Sequence, residues 1–114
     1  MDEEPDSLVE AEGAAYALFT PTKRFEQPKL ELRFLGVRKQ SLGYSFIDAY
    51  EIDGDTVVIE HTRYRATLKG RNLEPLYQAP RRERVGYIQQ TDPMRDAAGD
   101  DATAVYEMTV EPLR

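Results

Sequence analysis

Six arginines between positions 63 and 84 are the residues of this 114-residue chain whose type and spacing best suit a binding chemistry. Arg63, Arg65, Arg71, Arg81, Arg82 and Arg84, joined by Lys69, meet only Glu74 and Glu83 within that stretch, a surplus of five positive charges. Guanidinium forks take phosphate or carboxylate oxygens two at a time. Tyr44, Tyr64, Tyr77 and Tyr87 lie near them in sequence and are candidate platforms for stacking unpaired bases. Against this stand the acidic ends. Residues 1–12 carry six acids and no base, residues 92–114 carry six acids and two bases, and the chain as a whole is at −6. Neutralisation of the basic middle by these ends is the simpler account, since a chain of that net charge repels phosphate at long range. Tyrosines on the apolar parities are also expected in the core.

Other chemistry is poorly supplied. There is no cysteine, so no disulfide, thiolate nucleophile or Cys-bound zinc, and His61 is the single histidine. Beside Glu60 it reads as a solvated or hydrogen-bonded turn residue rather than a metal ligand or base. Asp53 and Asp55 flank Gly54 as in a fragment of a calcium loop, but the other ligands and the closing glutamate are missing, so turn chemistry explains them. Asp92, Asp96, Asp100 and Asp101 read as solvated loop residues, and no phosphate-cradling glycine loop or nucleophile elbow occurs. No catalytic residue, metal or cofactor is expected. Asp48 interrupts an apolar parity; either Arg33 or Arg65 partners it, or a bulge turns it outward.

The elements that must hold these residues follow from the hydrophobic periods. The length suits one domain, with 1–28 as an acidic tail, helix and linker and 29–114 as a single small β-rich domain. No stretch reaches the ~18 apolar residues of a spanning helix, and the acidic start lacks the basic character of a signal peptide, so a cytoplasmic location is expected. Ser7 and Glu10 have the spacing of a capping box, and Leu8, Ala11, Ala15 and Leu18 recur at helical spacing, predicting a short helix over about 7–18. Residues 20–28 read as a proline-bounded linker. From Lys29 the period becomes two: a strand at Leu30–Phe34, a long run from Leu42 to Ile52 with a bulge or bend near Ile47–Ala49, and a strand from Thr56 to Glu60. Asp53-Gly54 predicts a type I′ hairpin between the last two. A second tight turn at His61–Arg63 leads to a fourth strand, Tyr64–Lys69. Asn72 is the expected N-cap of a helix whose apolar positions run Leu73, Leu76, Tyr77, Pro80, Arg84, Ile88, kinked or split at Pro80. After a loop over 91–101, Ala104–Val110 forms a fifth strand that Pro112 ends. Sequential strands joined by short turns pair antiparallel. The expected class is α+β, β-dominant: a bent antiparallel sheet or small, partly open barrel of about five strands, with a helix after the fourth.

The block from Leu30 to Pro93 resembles an uncharacterised family of small bacterial β-rich proteins. The run Gly70-Arg71-Asn72-Leu73-Glu74-Pro75-Leu76-Tyr77 carries the resemblance, together with the Asp-Gly hairpin, an Arg-rich segment and the Asp92-Pro93 stop. Leu42-Gly43-Tyr44-Ser45-Phe46-Ile47 fills the family's first strand element, departing at Gly43 and Ile47. The resemblance implies an Sm-like or SH3-like small barrel and brings no activity, cofactor or catalytic residue with it.

By elimination the chain reads as a non-catalytic protein-interaction or self-associating module, since open antiparallel edges, tyrosines and arginines suit docking. The alternative is a single-stranded nucleic-acid-binding small barrel that uses the 63–84 segment. No membrane or small-molecule substrate is expected. In both readings Arg63, Arg65, Arg71, Arg81, Arg82 and Arg84 are the candidate contacts.

Overall fold

A computed structural model describes residues 8–10, 15–19, 29–95 and 102–113. The acidic tail, the 20–28 linker and most of the Asp-rich loop lie outside the described residues. Two sheets face each other across one core. The first has the order β1-β2-β8-β3-β4 and the second β5-β6-β7-β9. The strands are β1 (Leu8–Glu10), β2 (Tyr16–Phe19), β3 (Lys29–Arg33), β4 (Lys39–Gly43), β5 (Ile47–Asp53), β6 (Thr56–His61), β7 (Tyr64–Arg71), β8 (Val85–Gln89) and β9 (Ala104–Pro112). A short helix, α1 (Glu74–Gln78), is the only α-helix among the described residues. The molecule is β-dominant α+β, and its sheets do not close into a barrel.

Alternation places the core. Leu30 and Leu32 of β3, Val57 and Ile59 of β6, and Ala66 and Leu68 of β7 are fully buried, while the residues between them face outward. Leu73 and Leu76 add the helix to this core, and Val105 and Met108 add β9. The Ile47–Ala49 bulge is present, shifting the β5–β6 register and leaving Asp48 exposed. Asp48 therefore needs neither arginine; Arg33 bonds Glu31 at 2.7 Å and Arg65 bonds Glu60 at 3.0 Å.

Several expectations are corrected. The Leu42–Ile52 run is not one strand: a 3₁₀ turn at Tyr44–Phe46 divides it, sending β4 to one sheet and β5 to the other. The Tyr44 hydroxyl fixes that turn by donating to the Val85 carbonyl at 2.7 Å. The hairpin loop is Gly54-Asp55, closed by the Asp53–Thr56 pair, and only Gly54 has positive φ (64°). That is the requirement of a type II′ turn rather than type I′. Asn72 does not cap the helix; it sits at φ 54° one residue ahead of Leu73, and its amide donates to the Ala102 carbonyl at 3.1 Å.

The long helix to Ile88 is replaced by five residues of helix, a 3₁₀ turn at Pro80–Arg82 and a strand. Pro80 splits the helix as expected, and Glu83 at φ 59° reverses the chain. Val85-Gly86-Tyr87-Ile88 is then buried on both faces, the mark of a central strand, so the helical steps at Arg84 and Ile88 were fortuitous. β8 runs parallel to β3, which the antiparallel rule for sequential strands does not forbid because some fifty residues of chain separate the two.

At the N-terminus β1 and β2 form a hairpin (Leu8 opposite Phe19) where a helix was expected. The alanine-rich helical face offers little to bury, whereas in the strand Tyr16 and Leu18 pack half-buried against the core cluster, Ala15 and Ala17 are fully buried at the alternate positions, and β2 covers the side of β8 away from β3. With these three additional strands and the divided run, nine strands stand among the described residues in place of about five.

The sheets meet at Gly70. Its register partner is Val105, and a Cβ added to Gly70 would lie inside the Ala104 carbonyl. Gly70→Ala is expected to destabilise the fold by about 3 kcal/mol. Gly54→Ala meets open space and only left-handed strain, so about 1–2 kcal/mol is expected there. Urea midpoints of the two variants check the difference.

Candidate functional site

The six candidate arginines fall into two groups. Arg63 occupies the β6–β7 turn, and Arg65 and Arg71 lie at opposite ends of β7. Arg81 and Arg82 belong to the 3₁₀ turn after α1, with Arg84 just beyond it. α1 packs on β5, which is separated from β7 by β6, so the second group follows an element set against the edge strand on the far side of β6 from β7.

Within each group the guanidinium groups are engaged differently. Arg65 projects from the outer face of its sheet between Glu60, which it bonds at 3.0 Å, and Glu111, its register partner on β9. Arg71 is half-buried and donates to the Ala102 carbonyl at 3.0 Å. Arg81 lies 4.8 Å over the Tyr77 ring and bonds Gln78. Arg63 and Arg82 are exposed. Arg84 is half-buried, and its Nε is the one buried side-chain nitrogen without a hydrogen-bond partner among the described residues.

The candidate stacking tyrosines are largely occupied. Tyr44 is buried in the core, Tyr77 lies under Arg81, and Tyr87, itself buried, has Arg33 at 3.6 Å over its ring. Tyr64 packs on His61 at 5.5 Å. His61 is buried rather than solvated, between Phe46 and Tyr64, and its Nδ1 accepts the Arg63 amide proton at 3.0 Å. It is thus the hydrogen-bonded turn residue of the sequence reading, buried because Phe46 folds back beside it. Among the described residues no cluster of His, Asp or Glu is arranged to hold a metal ion, and no helix is long and apolar enough to cross a membrane.

Two surfaces lie outside the candidate residues that the sequence singles out. The first is the β3–β4 hairpin, with Lys29, Arg33, Arg38 and Lys39 against the single acid Glu31 and with Val37 95% exposed at its tip. Arg38 covers the Phe34 ring at 4.2 Å. The second is the free edge of β9. Its beginning is tied to the other sheet: Thr91 N donates to the Val105 carbonyl at 2.7 Å, and the Gln90 amide donates to the Tyr106 carbonyl at 3.1 Å. From Glu107 to Pro112 only β7 pairs with it among the described residues.

Hydrogen-bond alternation shows what this edge offers. Leu113 N donates to the Arg63 carbonyl at 2.8 Å, so Arg63 and Leu113 form a hydrogen-bonded pair. In an antiparallel ladder such pairs recur every second residue, so Glu111, Thr109 and Glu107 point their backbone groups at β7. Met108 and Val110 then point N–H and C=O away from the sheet, and Pro112 points only a carbonyl. The alternating Glu107, Thr109 and Glu111, followed by Pro112, was the sequence signal of an edge strand with one charged face.

No family model matches the chain, and no curated protein or solved structure matches it.

Two outcomes follow from this geometry. Burial, and secondarily the Arg63 charge, hold the His61 pKa below the usual imidazole value, against an opposing pull from Asp48. As pH falls through about 6.5 the unfolded chain takes up a proton that the folded protein resists, so stability falls with pH. His61→Gln keeps an acceptor and removes the titration; urea midpoints at pH 7 and 5.5 are expected to differ less for this variant than for the parent. Arg84→Met removes the unpaired buried donor, so thermal denaturation is expected to show unchanged or higher stability, by up to about 1 kcal/mol.

Proposed function

We propose that the chain is a non-catalytic protein-interaction module that accepts an extended segment of a partner as an added strand on the free edge of β9. The observation that carries this reading is the one-sided pairing of Glu107–Pro112, with Met108 and Val110 offering two donors and two acceptors in register. An unpaired strand edge is a template for another strand, and its main-chain bonds supply affinity without any reactive group. β5, the opposite edge of the same sheet, is partly covered, since α1 packs on it and Tyr50 Oη donates to the Pro80 carbonyl at 3.0 Å.

The nucleic-acid alternative draws less support. Single-stranded binders combine free aromatic faces with a continuous basic groove. Here arginines lie over Tyr77 and Tyr87, and the candidate arginines are split between two places, with Arg65 flanked by glutamates.

Val110→Pro separates the readings. Val110 N–H points away from β7, so proline there removes an edge donor and leaves the β7–β9 ladder in place. A random peptide library panned on the parent protein is expected to yield binders that shift the Met108 and Val110 amide resonances and lose at least tenfold in affinity on Val110→Pro, with the urea midpoint nearly unchanged. Binders that hold the variant equally well, or an unproductive library, would overturn strand addition. A fluorescent single-stranded oligonucleotide at about 50 mM salt, where surface charge is little screened, is expected not to bind. Salt-sensitive binding abolished by Arg81→Ala with Arg82→Ala would favour the alternative.

A further inference from the structure

Resting on the strand-addition reading, we infer that the segment β9 accepts belongs to another polypeptide and is basic, with the pattern basic–apolar–polar–apolar–basic, aligned antiparallel to β9. The molecule holds its own example of such a partner. On its paired side β9 meets Arg65-Ala66-Thr67-Leu68-Lys69 of β7, set in order against Glu111, Val110, Thr109, Met108 and Glu107. Each glutamate on the outer face faces a cation, Thr109 faces Thr67, and the inward-facing residues meet apolar ones.

The free side repeats those demands. Charge alternates across the sheet from Glu60 to Arg65 to Glu111, and from Lys69 to Glu107, so the next strand completes both rows with a cation. Neither Glu107 nor Glu111 forms an ion pair among the described residues; Arg65, opposite Glu111, is bonded to Glu60 instead. On the inner face Val110 is only half-buried, leaving apolar surface for the residue that would lie beside it.

The same edge discriminates against a second copy. A symmetric antiparallel pair centred on Val110 sets Met108 against Pro112, which has no N–H to donate; one that joins the outward groups of Met108 to those of Val110 centres on Thr109. That register sets Glu107 of each copy against Glu111 of the other, two like-charge contacts in the position where opposite charges are favoured. Pro112 further shortens the ladder by removing a donor. A basic strand from another protein meets neither obstacle.

The test uses a fluorescein-labelled peptide of residues 64–70 of this chain as the basic probe, with a control peptide carrying Arg65→Glu and Lys69→Glu. Anisotropy titrations at about 50 mM and 300 mM salt are run on the full chain, on Glu107→Gln with Glu111→Gln, and on Val110→Pro. The basic probe is expected to bind the parent, to weaken at high salt, to bind the double glutamine variant about tenfold more weakly, and to lose Val110→Pro. The acidic control is expected to bind the parent at least tenfold more weakly than the basic probe. If both peptides bind the parent equally and both lose Val110→Pro, strand addition stands and the basic partner is wrong. If the basic probe binds Val110→Pro as well as the parent, strand addition falls too. Absence of binding by the basic probe overturns the inference outright.

Discussion

The approach of Gly70 to Ala104 and Val105 is the constraint on which the arrangement of both sheets depends. At this corner β9 bulges at Tyr106, Val105 pairs with Gly70 on one side, and an isolated parallel bridge joins Val105 to Gln90 on the other. One residue of β9 therefore joins the second sheet to the residue that follows β8 of the first. A side chain at position 70 would displace the Ala104 backbone, and with it the strand that links the two layers. Val105 is fully buried, so this corner is also part of the core.

That corner divides β9 into two parts with different roles. Its first residues are held by Thr91, Gln90 and Arg71, the last through the Ala102 carbonyl. Its remainder runs beyond the other sheet, and among the described residues only β7 pairs with it. A strand anchored at one end, and backed by the well-paired β7, presents its backbone groups at fixed spacing, which lowers the entropy cost of adding another strand. The tyrosines serve a related purpose elsewhere. Tyr44 and Tyr50 donate to the carbonyls of Val85 and Pro80, fastening the irregular 80–85 segment to the sheets on either side of it. Arg81 lies over Tyr77, and Arg33, outside the basic 63–84 run, lies over Tyr87.

Much of the second sheet was legible because its information is local. Period-two alternation from Val57 to Leu68, the tight turn after His61, the Ile47–Ala49 bulge and the end of β9 near Pro112 depend on neighbours a few residues apart. The first sheet was less legible because its pairings are remote. β8 lies between β2 and β3, and its segment shows helical spacing that burial on both faces overrides. Of the candidate site, the arginines were legible as a charge run and the free edge only as a general expectation. A charge run does not say which strand face each residue occupies, nor that Glu60 and Glu111 flank Arg65.

The sequence by itself determined a β-dominant single-core domain without cysteine and with one histidine, because composition and alternation are properties of the chain alone. It also determined which residues of β6, β7 and the later part of β9 face inward, since a strand's side chains alternate whatever it pairs with, whereas the bulge at the start of β9 puts Val105 in the core in place of Tyr106. Tertiary structure decided how many strands there are, that β3 and β8 run parallel, and that Tyr44–Phe46 sends one apolar run into two sheets. It also decided that, among the described residues, β9 has a paired strand on one side only, because an edge is defined by the strand that does not come to it, and no local stretch of sequence contains that information.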